Sequence, residues 1–295
     1  MTTAKEEPFH PKRILLPTDL SEGNLIALKI GLRIADQYHS QVDVVTVLEE
    51  SDNNIYGGTD HYNKELVDKV REKITQALKQ INVSDTLKKN IHISIRKGRP
   101  SKEINHVVHN NFNDLIVIAT HGRIGLEKFQ YGSCTEEIIK TSKTPVLALK
   151  PKVGKIFSPQ HILVPVDFSS RDFHALYFAK RLKKVFNSKI TVLHVIPDFS
   201  TAMLTVQLPR THLTHSEKQI KKALSTVELE AEHLICEGQP SEEILKKAAE
   251  LQSDLILIPI RDKSSAFTGL LGMVSDKVVR KAPCDVLTLH PDFYL

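Results

Sequence analysis

The stretch "ATHGRIGLEKFQYGS", residues 119–133, lies between the apolar run "DLIVI" and the helix-like "CTEEIIKTS". Glycines let backbone N–H groups come close to an anion, and the unpaired N–H groups and dipole of a following helix favour negative charge. A glycine-bearing loop leading from a strand into a helix is therefore suited to phosphate, with Gly122, Gly132 and Ser133 placed for that role. Ser133 also begins an S-x-x-E pattern completed by Glu136, so its hydroxyl can cap the helix, meet a phosphate, or do both. The loop contains neither a GK[ST] sequence nor GxGxxG, which excludes a Walker A or dinucleotide fingerprint. His121 could reach a phosphate or act as a base, or it could be an ordinary exposed loop residue.

A second group is Asp19 in "PTDLS", repeated as Asp167 in "PVDFS". Each carboxylate could face a ligand or cap the helix that follows it. His212 and His215 in "THLTH", with His194 and His174, lack a third ligand at diagnostic spacing, so no metal site is expected. Cys134, Cys236 and Cys284 are widely spaced and form no CxxC pair, which argues against a disulfide framework or a cysteine zinc site.

The elements that must position these groups occur twice. "ILLPTDLS" at 14 recurs as "ILVPVDFS" at 162. "GRPSKEI" at 98 recurs as "GQPSEEI" at 238, "DLIVI" at 114 as "DLILI" at 254, and "VLALKP" at 146 as "VLTLHP" at 286. Two copies of one domain follow, with expected bounds 1–151 and 161–295 around a linker at 152–160.

In the first copy "RILLPT" and "VDVVTVL" read as strands, with Leu25, Leu28, Leu32 and Ala35 on one face of a helix between them. A helix over about 62–80 precedes the strand "IHISIRK", and a helix opened by Pro100 and Ser101 precedes "LIVIAT". A helix from about 134 to 142 and the strand "VLALK" complete a βαβαβαβαβ order, which predicts a doubly wound, mostly parallel sheet with helices on both faces. Ligands of such sheets bind beyond the carboxyl ends of the strands, where the strand order reverses. Asp19, the residues after the second strand and the 119–133 loop would meet there.

On these residues both copies resemble the universal stress protein family, over nearly the whole chain. The resemblance implies two tandem Rossmann-like, adenine nucleotide alpha hydrolase-like domains, each a five-stranded parallel sheet flanked by helices. The family's phosphate motif has the form G-x2-G-x9-G-[ST]. Here it reads Ala119, Gly122, Gly132 and Ser133, with only the first glycine altered. The resemblance implies that ATP or AMP, with Mg2+ as an optional companion, binds the first copy at Asp19, Glu50, Ala119, Gly122, Arg123, Gly132 and Ser133. Asp19 takes the family's adenine-side aspartate position. Glu50 stands where the family has the Val of an "LHV" sequence; the second copy keeps "LHV" at 193–195, whereas the first reads "LEE".

The second copy departs further. Pro259, Asp262, Ser265 and Met273 replace Ala119, Gly122, Gly125 and Ser133, and only Gly272 matches, at the place of Gly132. Asp262 would set a carboxylate where phosphate should lie, so this copy is expected to bind no nucleotide or something else.

Bulk properties narrow the function classes. The chain has 295 residues and a net charge of +5, from 40 Lys and Arg against 35 Asp and Glu. Basic residues such as Lys183 and Lys184 alternate with apolar ones as on a solvated helix face, so nucleic acid is not an expected partner. The opening "MTTAKEEPFHPKR" has no apolar core of a secretory signal, and no apolar run reaches the ~20 residues of a membrane helix. No membrane association and a cytoplasmic location are therefore expected.

The last strand of each copy would be an exposed edge. In the family this strand mediates dimerisation, which implies an internal pseudo-twofold pair and allows a homodimer of whole chains. Segments 50–63 and 197–216 differ most between the copies and should border the crevices. The expected function is a stress-response regulator or sensor that binds adenine nucleotide in the first copy, hydrolyses it slowly or not at all, and acts on a protein partner. The alternatives are a nucleotide-independent interaction scaffold and a true ATP-using enzyme, the latter disfavoured because "PTDLS" stands where SGGxDS would be expected.

Overall fold

The computed structural model describes residues 8–49, 60–120, 133–154, 156–197, 210–260, 272–290 and 293. They form two compact units, Pro11–Phe157 and Ser158–Leu295 with the N-terminal residues up to His10.

The first unit runs β1 (Arg13–Pro17), α1 (Glu22–Tyr38), β2 (Gln41–Leu48), α2 (Asp60–Lys79), α3 (Asp85–Lys89), β3 (Ile91–Lys97), α4 (Pro100–Asn111), β4 (Leu115–Ala119), α5 (Ser133–Thr141) and β5 (Val146–Leu149). Its strand order is β3-β2-β1-β4-β5, and every pairing is parallel. The alternation of strand and helix legible in the sequence is therefore the architecture formed. All five residues of β4 are buried, as expected of a central strand covered on both faces. Helix α1 packs on β1 and β4 and buries more than the four positions counted from periodicity. Ala27, Ile30 and Ile34 join Leu28, Leu32 and Ala35 in the core, while Leu25 is only half-buried.

The second unit repeats the plan with β6 (His161–Val166), α6 (Ser170–Phe186), β7 (Lys189–Pro197), α7 (Arg210–Val227), β8 (Glu232–Gly238), α8 (Pro240–Glu250), β9 (Leu255–Pro259), α9 (Gly272–Lys281) and β10 (Asp285–Leu289). Its order is β10-β9-β6-β7-β8, again all parallel. Helix α6 lies beside α7, and α8 beside α9. Phe9 joins this unit: its ring centroid is 5.5 Å from that of Phe178, which lies 6.3 Å from Phe293.

The repeated "GRP" and "GQP" sequences have a backbone reason. Gly98 and Gly238 adopt φ of +137° and +144°, where a side chain is strained, and Pro100 and Pro240 then open α4 and α8 at a position that needs no N–H. At the amino ends of the strands the copies differ. Arg13 holds the buried Asp43 through Nε–Oδ2 at 2.6 Å and Nη2–Oδ1 at 3.0 Å, and Asn113 Nδ2 donates to Asp43 Oδ2 at 2.8 Å. Burial opposes the Asp43 charge, but the donors outweigh it and keep the carboxyl below its ordinary range. In the second copy His161 Nε2 meets Thr191 Oγ1 at 2.8 Å in place of this ion pair.

Candidate functional site

The switch point of the first unit lies between β1 and β4. Strand β1 pairs with β2 on one side and β4 on the other, so the connections leave the carboxyl ends of β1 and β4 in opposite directions and open a crevice. With Ile14 opposite Leu115 and Leu15 opposite Ile116, the ends of the two strands lie side by side. The crevice floor is buried and pinned by hydrogen bonds. Thr18 N donates to Val45 O at 2.9 Å and Thr120 N to Leu149 O at 2.8 Å, while Thr46 Oγ1 donates to Thr18 O at 2.8 Å. Ala119 is 2 % exposed, so its small side chain is part of that floor.

Above the floor stands Asp19, which is exposed. Its Oδ1 accepts from Ser21 N at 2.8 Å and Asn24 Nδ2 at 2.9 Å, while Leu20 between them takes φ +63°. Partial burial opposes the charge, but these hydrogen bonds outweigh it and hold the carboxyl below its ordinary pKa. Both of these hydrogen bonds reach Oδ1, and the Ser21 side chain is a further donor that favours the charge.

Helix α5 brings its first turn to the same place. Thr135 Oγ1 donates to Ala119 O at 3.3 Å, tying the helix start to the end of β4. The Cys134 thiol is pushed up to about 11, first by burial and then by the carboxylates of Glu137, Glu49 and Asp19. Those charges converge on one thiol, so the ends of β1 and β2 and the start of α5 share one electrostatic environment. At the rim Arg99 Nη2 pairs with Glu137 at 2.7 Å.

Of the residues expected in the site, Asp19 and Ala119 sit at the crevice, and Ser133 is the first residue of α5. Glu50, Gly122, Arg123 and Gly132 lie outside the described residues, as do His121 and Gly125. Cys134 and Glu49 were missed, although each adjoins a residue singled out from the sequence. Cys134 carries no motif of its own, and its place in the crevice depends on the packing of α5.

In the second unit Asp167 Oδ1 accepts from Ser169 N at 3.0 Å, the same turn that Asp19 makes. The shared turn gives this aspartate a structural role in both copies. Ile260 N donates to Leu289 O at 2.7 Å, repeating the Thr120 bond with an apolar side chain. Asp262 and Ser265 lie outside the described residues. His194 Nδ1 lies 3.0 Å from Val166 O, and its ring centroid is 4.2 Å from that of Phe168. Burial lowers its pKa more than the Val166 carbonyl and Asp167 raise it, so it is a neutral packed histidine at pH 7. Among the described residues, no group of three or more His, Cys, Asp or Glu is arranged to hold a metal ion, and no helix is long and apolar enough to cross a membrane.

Comparison with known proteins agrees with the duplication. The profile of the universal stress protein family matches residues 10–150 and again 159–290. Universal stress protein MJ0531 of Methanocaldococcus jannaschii is 32% identical over 141 residues, covering 47% of this chain and 82% of the relative. Universal stress protein MJ0577 of the same organism is 31% identical over 157 residues, covering 48% and 96%. A universal stress protein of Archaeoglobus fulgidus shares the fold across both units, with a TM-score of 0.67 at 24% identity, covering 94% of this chain and 96% of that one.

Proposed function

We propose that this chain, which belongs to the universal stress protein family, is a stress-response regulator that binds ATP or AMP in the crevice of its first unit. The observation that carries this reading is the position of Asp19. Its carboxylate stands exposed at the switch point, charged and oriented by Ser21 and Asn24. An adenine amine or a ribose hydroxyl would donate to this carboxylate. The phosphates would extend toward the start of α5, where Gly122, Arg123, Gly132 and Ser133 follow the family's motif and the helix dipole favours negative charge.

Glu49 and Glu137 near that helix start make the crevice acidic for a bare polyphosphate. Mg2+ on the phosphates would offset this, so ATP is expected to bind better with the ion than without it. No paired acid and base is evident at the described crevice residues, which favours switching by binding over turnover. For binding to signal, the nucleotide must favour one arrangement of the 120–133 loop over others.

A competition assay tests the reading. A fluorescent ATP analogue bound to the full chain should be displaced by ATP and AMP at lower concentration than by GTP, and Asp19→Ala should weaken binding about tenfold, or ~1.4 kcal/mol. Equal displacement by all purine nucleotides, or no effect of the substitution, contradicts the assignment of Asp19. A scaffold acting without nucleotide is the second reading. It is favoured by the turn that Asp19 and Asp167 share, and failure of every nucleotide to bind would leave it as the better account.

A further inference from the structure

The second unit contains a half-open cavity of about 200 Å³ lined by β6, β7, α6 and α7. Its floor is apolar, with Val166, Leu176, Val192 and Ile220 all in the core, and Gln219 and Lys222 of α7 are polar members of its lining. Into this setting the fold places Asp172, only 4 % exposed. Asp172 occupies the third position of α6 after the N-cap Ser169, and its Oδ2 reaches back to accept from Asp167 N at 2.8 Å. That capping role uses one oxygen. Oδ1 is buried and makes no hydrogen bond of normal geometry, although the N–H groups of Phe168 and Ser169 lie near enough to favour the charge, and Ser169 Oγ, which also lines the cavity, has no partner.

The first copy shows what has changed. The residue matching Asp172 is Asn24, whose Nδ2 donates to Asp19 at 2.9 Å and to Ser21 Oγ at 3.3 Å. Asn24 Oδ1 is also unpartnered, but an amide oxygen is neutral and costs less to bury than a carboxylate. Exchange of amide for acid removes the donor that would bridge to Asp167 and sets two carboxylates close together. Among the described residues, Asp167, just before α6, is the charge that acts on Asp172, and Lys222 of α7, an exposed residue, lines the same cavity. A buried acceptor left unpaired is destabilising unless something donates to it. Dry apolar cavities of about 150 Å³ accept a benzene ring, so this one has room for a substituted ring.

We propose that this cavity binds a small apolar molecule carrying one hydroxyl donor, a phenol of about seven to ten heavy atoms, with the hydroxyl donating to Asp172 Oδ1. Ser169 Oγ can in turn donate to the phenol oxygen, which satisfies both orphaned atoms at once. The ring lies against Val166, Leu176, Val192 and Ile220. The second copy then takes a ligand unrelated to the nucleotide, in keeping with its degraded phosphate loop.

The test is a methyl NMR titration of the full chain at pH 8, where Asp172 is ionised, with p-cresol and, separately, with toluene, which has the same ring and methyl group without the hydroxyl. The expected result is that p-cresol shifts the methyls of Val166, Leu176, Val192 and Ile220 and binds at least about tenfold tighter than toluene, unaffected by saturating ATP. Asp172→Leu keeps the volume and should abolish the preference while retaining toluene. Should that variant not fold, Ala223→Leu narrows the cavity from α7 and should abolish binding of both. Absence of shifts at millimolar p-cresol, equal affinity for the two probes, or displacement of p-cresol by ATP would each overturn the proposal.

Discussion

Replacing Asp172 by Asn should make the second unit's stability less dependent on pH. Burial, and then repulsion from Asp167, push the Asp172 carboxyl from 3.8 up to about 7, despite N–H groups of Asp167, Phe168 and Ser169 that favour the charge. The folded pKa of this acid is raised, so between those two values the native state holds a proton that the unfolded chain has released. Its contribution is therefore greatest below about pH 3.8, falls as pH rises, and levels off above about 7. About three pKa units at 1.36 kcal/mol each amount to roughly 4 kcal/mol, of which roughly 2–3 kcal/mol is lost between about pH 5 and 8. Asn does not titrate and can donate to Asp167 as Asn24 does to Asp19. Urea unfolding of both proteins at pH 5, 6, 7 and 8, followed through methyl signals of Leu176 and Val192, gives the difference directly, and other titrating groups largely cancel. The variant should gain on the wild type by roughly 2–3 kcal/mol across that range. A difference constant to within about half a kcal/mol would refute the reasoning, because Asp172 would then titrate at the same pH folded and unfolded.

Two other outcomes are expected. Asp43→Ala leaves Arg13 and Asn113 without their acceptor and should cost about 3 kcal/mol in urea unfolding of the first unit at pH 7. Because the folded pKa of Asp43 is lowered, its stabilisation holds above the unfolded carboxyl's pKa and fades as pH falls through the folded one, so the penalty should shrink toward acid pH. Cys134, raised from 9.0 to about 11, should react with iodoacetamide about a hundredfold more slowly than an ordinary thiol at neutral pH, as mass spectrometry of labelled peptides can measure. Saturating ATP should slow it further; labelling unchanged by ATP would separate α5 from the nucleotide.

Much of the fold was legible because the strands and helices keep their own periods in both copies. "LIVIA" and "LILI" read as central strands from apolar residues alone, and all of β4 and the first four residues of β9 are buried. Helix α3 escaped because five residues are too few to show a period; its one signal is Ser84, whose Oγ accepts from Leu87 N at 3.1 Å as an N-cap. The triad of Arg13, Asp43 and Asn113 was equally hidden, since its members lie on or beside β1, β2 and β4 and meet only when those strands are neighbours. For the candidate site, Asp19 was singled out by repetition, whereas Cys134 is brought there by packing alone. The S-x-x-D spacing of Ser169 and Asp172 is visible in the sequence, but the missing partner of Asp172 Oδ1 appears only when α6 and α7 close over β6 and β7.

Isothermal titration of the full chain with ATP and Mg2+, beside Gly132→Asp and Asp167→Ala, tests the central claim most directly. One nucleotide per chain, lost in Gly132→Asp and kept in Asp167→Ala, is the expected result. Two nucleotides per chain, or binding that survives Gly132→Asp, would contradict a single site in the first unit.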